Sequence, residues 1–93
     1  MPYQAAVMNK NYMIGFMHDG YFYCANVHRY RHGTNIEYQV TILTNKSRPD
    51  IPSRIVLAEE RQGGLSLLSG KSVPQSFLYN VCAEIEKHNS KAV

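Results

Sequence analysis

Two dipeptides, Asp19-Gly20 and Gly33-Thr34, constrain this chain more than anything else in it. Each sits between runs of apolar and polar residues of strand character. Asp-Gly suits a type I′ turn, in which both central residues take positive φ, and Gly-Thr suits a type II′ turn with glycine first. A two-residue hairpin fixes register, so each turn predicts its own set of facing residues. Across the first, Phe16 faces Tyr23, Ile14 faces Ala25 and Tyr12 faces Val27. Across the second, Arg29 faces Tyr38, Val27 faces Val40 and Ala25 faces Ile42. Both registers put the same residues of the shared segment on one side. That side collects Tyr12, Ile14, Phe16, Tyr23, Ala25, Val27, Tyr38, Val40 and Ile42, and a slip of one residue at either turn would scatter the set.

The other side divides in two. Met13, Gly15, Met17, Phe22, Cys24 and Leu43 form an apolar half that needs cover. Asn26, His28, Tyr30, Glu37, Gln39 and Thr41 form a polar half suited to water.

Beyond the third segment, Asn45 to Ser53 holds two prolines and an aspartate and reads as a loop. Residues 54–68 are ambiguous. Ile55 and Val56 favour strand, Ala58, Glu59 and Glu60 favour helix, and the balance leans to strand with a turn at Gln62-Gly63-Gly64. Gln4 to Met8 offers a further edge strand. From Ser72 onward the period changes. Val73, Phe77, Leu78, Val81, Cys82 and Ile85 recur at helical spacing, Ser72 with Gln75 fits a capping box, and Asn89 can end the helix. The expected fold is α+β: an antiparallel β-meander of four to six strands with one C-terminal helix packed on one face, covering Ile14, Val27 and Val40. Ninety-three residues make a single domain, 1–93.

Composition limits the function classes. The net charge is +3, and all of the excess lies in residues 1–56, where Lys10, Arg29, Arg31, Lys46, Arg48 and Arg54 outnumber Asp19, Glu37 and Asp50. This is a weaker bias than the dense basic stripe of a dedicated nucleic-acid binder. Two cysteines make no disulfide framework, no leader-like segment opens the chain, and no apolar run reaches membrane-spanning length. A reduced, cytoplasmic protein without membrane contact is the expectation.

Chemical motifs are weak. His18, Cys24, His28 and His32 invite a metal, but Cys24, His28 and His32 lie four residues apart on a strand, roughly 13 Å between neighbours, too far for one ion. No metal and no cofactor is expected. Gly64 to Ser72 ends in Gly-Lys-Ser, yet five residues separate its glycines where a phosphate loop needs four. No cysteine or serine has an oriented base, and no carboxylates pair, so no catalytic residue is assigned and no enzyme is expected.

The hairpin tip Arg29, Tyr30, Arg31 and His32 is the one conspicuous surface motif. Tyrosine and arginine are enriched at protein hot spots, and the same types contact phosphates and stack on bases. The reading favoured is a small protein-binding module (adaptor, inhibitor or regulator) that docks through a sheet face and this tip. Its binding residues would be Arg29, Tyr30, Arg31, His32 and His28 with Met13, Met17 and Phe22. A protein partner, with a homodimer as the simplest cover for the apolar half, ranks ahead of nucleic acid on the same hairpin.

Overall fold

The structure, a computed structural model, describes residues 10–43, 51–69 and 72–91. Five strands form one antiparallel sheet in the order in which they follow in the chain: β1 (Lys10–His18), β2 (Tyr21–His32), β3 (Asn35–Ile42), β4 (Arg54–Glu59) and β5 (Leu65–Ser69). One helix, α1 (Gln75–Lys91), packs on β1. The meander-plus-helix architecture is the one expected from the two turns.

The first turn carries positive φ at both Asp19 (53°) and Gly20 (81°), as a type I′ turn requires, and in the second Gly33 has φ 68°. The registers follow. Phe16 faces Tyr23, Ile14 faces Ala25 and Tyr12 faces Val27 across β1 and β2. Val27 faces Val40, Ala25 faces Ile42 and Arg29 faces Tyr38 across β2 and β3. The residues gathered on that side are the core: Ala25, Val27, Tyr38 and Val40 are wholly buried, joined by Ile14, Phe16, Tyr23 and Ile42.

Residues 54–68 resolve as strand. β4 extends the sheet beyond β3, with Ile55 and Leu57 buried on the core side. Glu60, Gly63 and Gly64 close the turn to β5, with both glycines at positive φ. β5 pairs with β4 through a register shift between Val56 and Leu57, a bulge that interrupts this short edge strand. Of the expected loop Asn45 to Ser53, residues 44–50 lie outside the described residues, as does the expected strand Gln4 to Met8. Ile51 is buried in the core, and the Ser53 carbonyl accepts from the Ile42 amide at 2.9 Å. No sequence period announces Ile51, because its burial depends on where the loop returns to the sheet.

The helix departs from expectation at both ends. It starts at Gln75, and the Pro74 carbonyl accepts the first helical bond from the Leu78 amide at 3.0 Å. The expected cap at Ser72 is therefore two residues early; proline occupies the cap itself, where its missing N–H loses nothing. At the other end the helix runs through Asn89 to Lys91. Phe77, Val81 and Ile85, spaced by four, are wholly buried against the sheet. Phe77 is the hub at the first turn, with ring centres 5.1 to 5.3 Å from those of Phe16, His18 and Tyr23 in edge-to-face packing. Asn80 Nδ2 donates to the Met17 carbonyl on β1 at 3.3 Å.

Two substitutions separate the register device from the packing it sets up. Gly20→Ala places a Cβ at positive φ and should lower stability by about 1 kcal/mol. Phe77→Ala removes the ring that three others pack upon and should remove about 3–5 kcal/mol, most of the stability of a domain this small. Urea unfolding of both, at unchanged m-value, measures the difference.

Candidate interaction surface

The alternation along β2 sends its side chains to two environments, and both hold polar groups worth examining. On the core side, at the end remote from Phe77, the Tyr38 hydroxyl is the centre of a cluster. It accepts from Arg29 Nε at 3.2 Å and from Asn89 Nδ2 at 3.0 Å, and it donates to Glu59 Oε2. Its one donor and two acceptor sites are thus all used. Arg29 also lies 3.7 Å from Glu59 Oε2, and its guanidinium carbon is 5.9 Å from the Tyr38 ring centre. Tyr12 packs edge-on against His88, with ring centres 3.7 Å apart, and its buried hydroxyl has no hydrogen-bond partner.

Burial pushes the Tyr12 hydroxyl up to about 12, with further upward pressure from Tyr38 and Glu59 and an opposing pull from Arg29. Burial also raises Tyr38, reinforced by its bond to Glu59 and opposed by those from Asn89 and Arg29. Both shifts lead away from neutrality, the wrong direction for a general acid or base working near pH 7. A cleft of about 190 Å³ adjoins the cluster between the β4–β5 turn and α1, lined by Glu59, Glu60, Leu65, Glu86 and Asn89. Glu59 and Asn89 of its lining are both bonded to the Tyr38 hydroxyl, so the cluster works as a clamp between α1, β2, β3 and β4. Asn89 as a contact has a signal in the helical period: 77, 81, 85 and 89 form one row on the helix.

The outer side of the sheet faces away from α1. Here the two halves separate as expected. Met13, Met17, Phe22 and Leu43 are 54–59% exposed, and Cys24 lies among them, opposite Gly15 and with its carbonyl accepting from the Leu43 amide. The Phe22 ring lies across Gly15, so close that a Cβ there would stand 2.7 Å from the ring tip. Glycine at this position lets the aromatic ring cover the backbone of a neighbouring strand. The polar half is knitted together. Tyr30 donates to Glu37 Oε1 at 2.9 Å, His32 Nδ1 lies 3.3 Å from Oε2 of the same carboxylate, and the His28 and Tyr30 rings are 5.2 Å apart. Glu37 is buried beneath them. Burial, and then the bond to Glu37, raise the Tyr30 hydroxyl.

The residues singled out from the sequence therefore divide. Met13, Met17, Phe22, His28, Tyr30 and His32 share the outer face, and Arg31 is exposed at the tip. Arg29 turns the other way, into the Tyr38 clamp, because odd positions of β2 face the core. Lys46 and Arg48 lie outside the described residues. His18 is buried in the core wall against Phe77 and Tyr23, on the opposite side from Cys24, His28 and His32, and among the described residues no three metal-ligating groups come together. Leu65 to Ser69 of the glycine-bounded stretch is strand β5; Gly70 and Lys71 lie outside the described residues. Cys82 is half-buried on α1, its thiol pushed up by burial and then by Glu86. No helix among the described residues is long and apolar enough to cross a membrane. Set against known protein families, curated proteins and solved structures, the chain matches none.

The two core-side hydroxyls should respond oppositely to removal. Tyr38→Phe leaves Glu59, Arg29 and Asn89 without their common partner and should lose about 1–2 kcal/mol, whereas Tyr12→Phe removes an unpartnered group and should change stability by less than about 0.5 kcal/mol. Both hydroxyls ionise later in the folded chain than in the unfolded one. Their stabilisation is complete below pH 10 and is lost as pH rises through the folded value, near 12 for Tyr12. Alkaline unfolding monitored by tyrosinate absorbance reads this, with the loss at high pH smaller in Tyr12→Phe.

Proposed function

We propose that the chain is a small, non-catalytic protein-binding module, an adaptor, inhibitor or regulator, that docks through the outer face of its sheet and the Tyr30–His32 tip. One observation carries the reading: four large apolar side chains, Met13, Met17, Phe22 and Leu43, stand more than half exposed together on one half of a face that no described element covers. Grouped exposure of this kind marks contact surfaces, and methionines adapt to a partner's shape. Tyr30, propped by Glu37, supplies a hot-spot residue type at the rim of that face, and Arg31, at an odd position of β2, stands exposed at the hairpin end. Arg29 has no part in docking on this reading, since it holds the clamp. A reducing, cytoplasmic setting goes with it, in keeping with two thiols that sit on opposite sides of the sheet.

The test is affinity capture from the native host with tagged parent and variant chains, beside titration of a mixed-sequence oligonucleotide at two salt concentrations. Tyr30→Ala and Arg31→Ala should each weaken capture of a specific protein about 5- to 30-fold, with little dependence on salt. Capture that neither substitution alters, together with oligonucleotide binding that falls steeply with salt, would replace this reading with nucleic-acid recognition by the same hairpin.

A further inference from the structure

We infer that the occupant of the apolar half of the outer face is a second copy of this chain, in a face-to-face dimer with twofold symmetry; the inference rests on the docking reading above and names its partner. Three observations favour a copy over an unrelated protein.

The first is charge. On the outer face the described strands present two formally charged side chains, Glu37 and Arg54. Glu37 is buried under Tyr30 and His32, and Arg54 stands at the start of β4. A face so nearly neutral does not repel its own copy and does not call for a partner of opposite sign.

The second is extent. β1, β2 and β3 run for nine, twelve and eight residues and β4 and β5 for six and five; at ~3.3 Å per residue and ~4.8 Å between strands the face is roughly 25–40 Å long over the first three strands, less than about 20 Å over the last two, and about 20 Å across. Its corrugated accessible area comes near the ~800 Å² per partner of a stable interface. Met13, Met17, Phe22 and Leu43, each more than half exposed, occupy one end of the face.

The third is layout. The apolar group lies at one end of β1 and β2 and the hydrogen-bonded polar group at the other. A twofold axis through the apolar half sets Met13, Met17 and Phe22 against their own equivalents and leaves both polar halves at the rim. That is the apolar-core, polar-rim anatomy of isologous interfaces. The Phe22 ring seated over Gly15 is held in place before contact, so it docks without needing to be ordered first. Cys24 lies at the centre of the patch, and two sheets packed face to face stand ~10 Å apart, within reach of a short bis-maleimide.

Charge exchange tests a second copy directly. The parent chain should sediment as a dimer at micromolar to submillimolar concentration. The M13E/M17E and M13K/M17K double variants, both altered at exposed side chains outside the core, should each be monomeric, with dimerisation weakened at least ~100-fold by like charges brought together. Mixed in equal amounts, the two variants should form a heterodimer. The bis-maleimide should link parent copies through Cys24, so that Cys24→Ser abolishes the product and Cys82→Ser does not. A parent chain that is monomeric throughout this range overturns the inference, as does a dimer that survives both charge variants or a cross-link that requires Cys82. The docking reading fails separately: it is overturned if M13E/M17E, folded by circular dichroism, captures the same host proteins as the parent.

Discussion

Positive φ at three positions, Asp19, Gly20 and Gly33, governs this molecule. A type I or II turn in either place would splay the strands against their twist. With the primed turns, β2 is committed on both flanks to one pairing, and the side-chain period of two then assigns every residue from Lys10 to Ile42 to a face. Burial of Val27 and Ala25 follows from that assignment, since both registers place an apolar neighbour across from each, and Val40 lies between Val27 and Ile55. The two hairpins are local in sequence, so closing them loses little chain entropy.

What the helix adds is closure at two separated points. At its first turn Phe77 enters a ring cluster with Phe16, His18 and Tyr23. At its last turns Asn89 reaches the Tyr38 hydroxyl while His88 packs on Tyr12. The first contact is apolar and tolerant of small shifts. The second is a directional hydrogen bond to a buried, fully satisfied group, and it fixes where along the sheet the helix must end. Between them the row Phe77, Val81, Ile85 lies dry. A helix held only by its apolar row could slide by a turn; the polar clamp removes that freedom, the role in specificity that buried polar groups fill in some folds.

This division explains how much was legible beforehand. Facing pairs, core membership in β1 to β3 and the helix stripe all follow from period and turn chemistry, which are local. Arg29, by contrast, belongs to the basic tip by its charge and to the core side by its register, which sets it opposite Tyr38. Alternation outweighs charge here because the guanidinium finds Tyr38 and Glu59 there. Asn89 read as a helix stop since asparagine suits that place; only the position of Tyr38 in space shows that it has a partner instead. Ile51 in a proline-rich loop carried no periodic signal at all. The contacts of Asn89 and Ile51 join segments distant in sequence, where local propensity is silent.

The same asymmetry accounts for the exposed face. A five-stranded sheet has two sides, and among the described residues one helix of 17 residues covers one of them. On the other side the buried charged group, Glu37, is met by Tyr30 and His32. Care of that kind over one half of the face makes the other half informative. Strands that required only water contact could carry threonine, glutamine or lysine at positions 13, 17, 22 and 43, as they do at 39 and 41. Glycine at 15, which weakens a strand interior by roughly 0.5–1 kcal/mol relative to alanine, is retained where it seats the Phe22 ring. Stability is thus given up where Gly15 seats the Phe22 ring, an arrangement that the proposed docking role would explain.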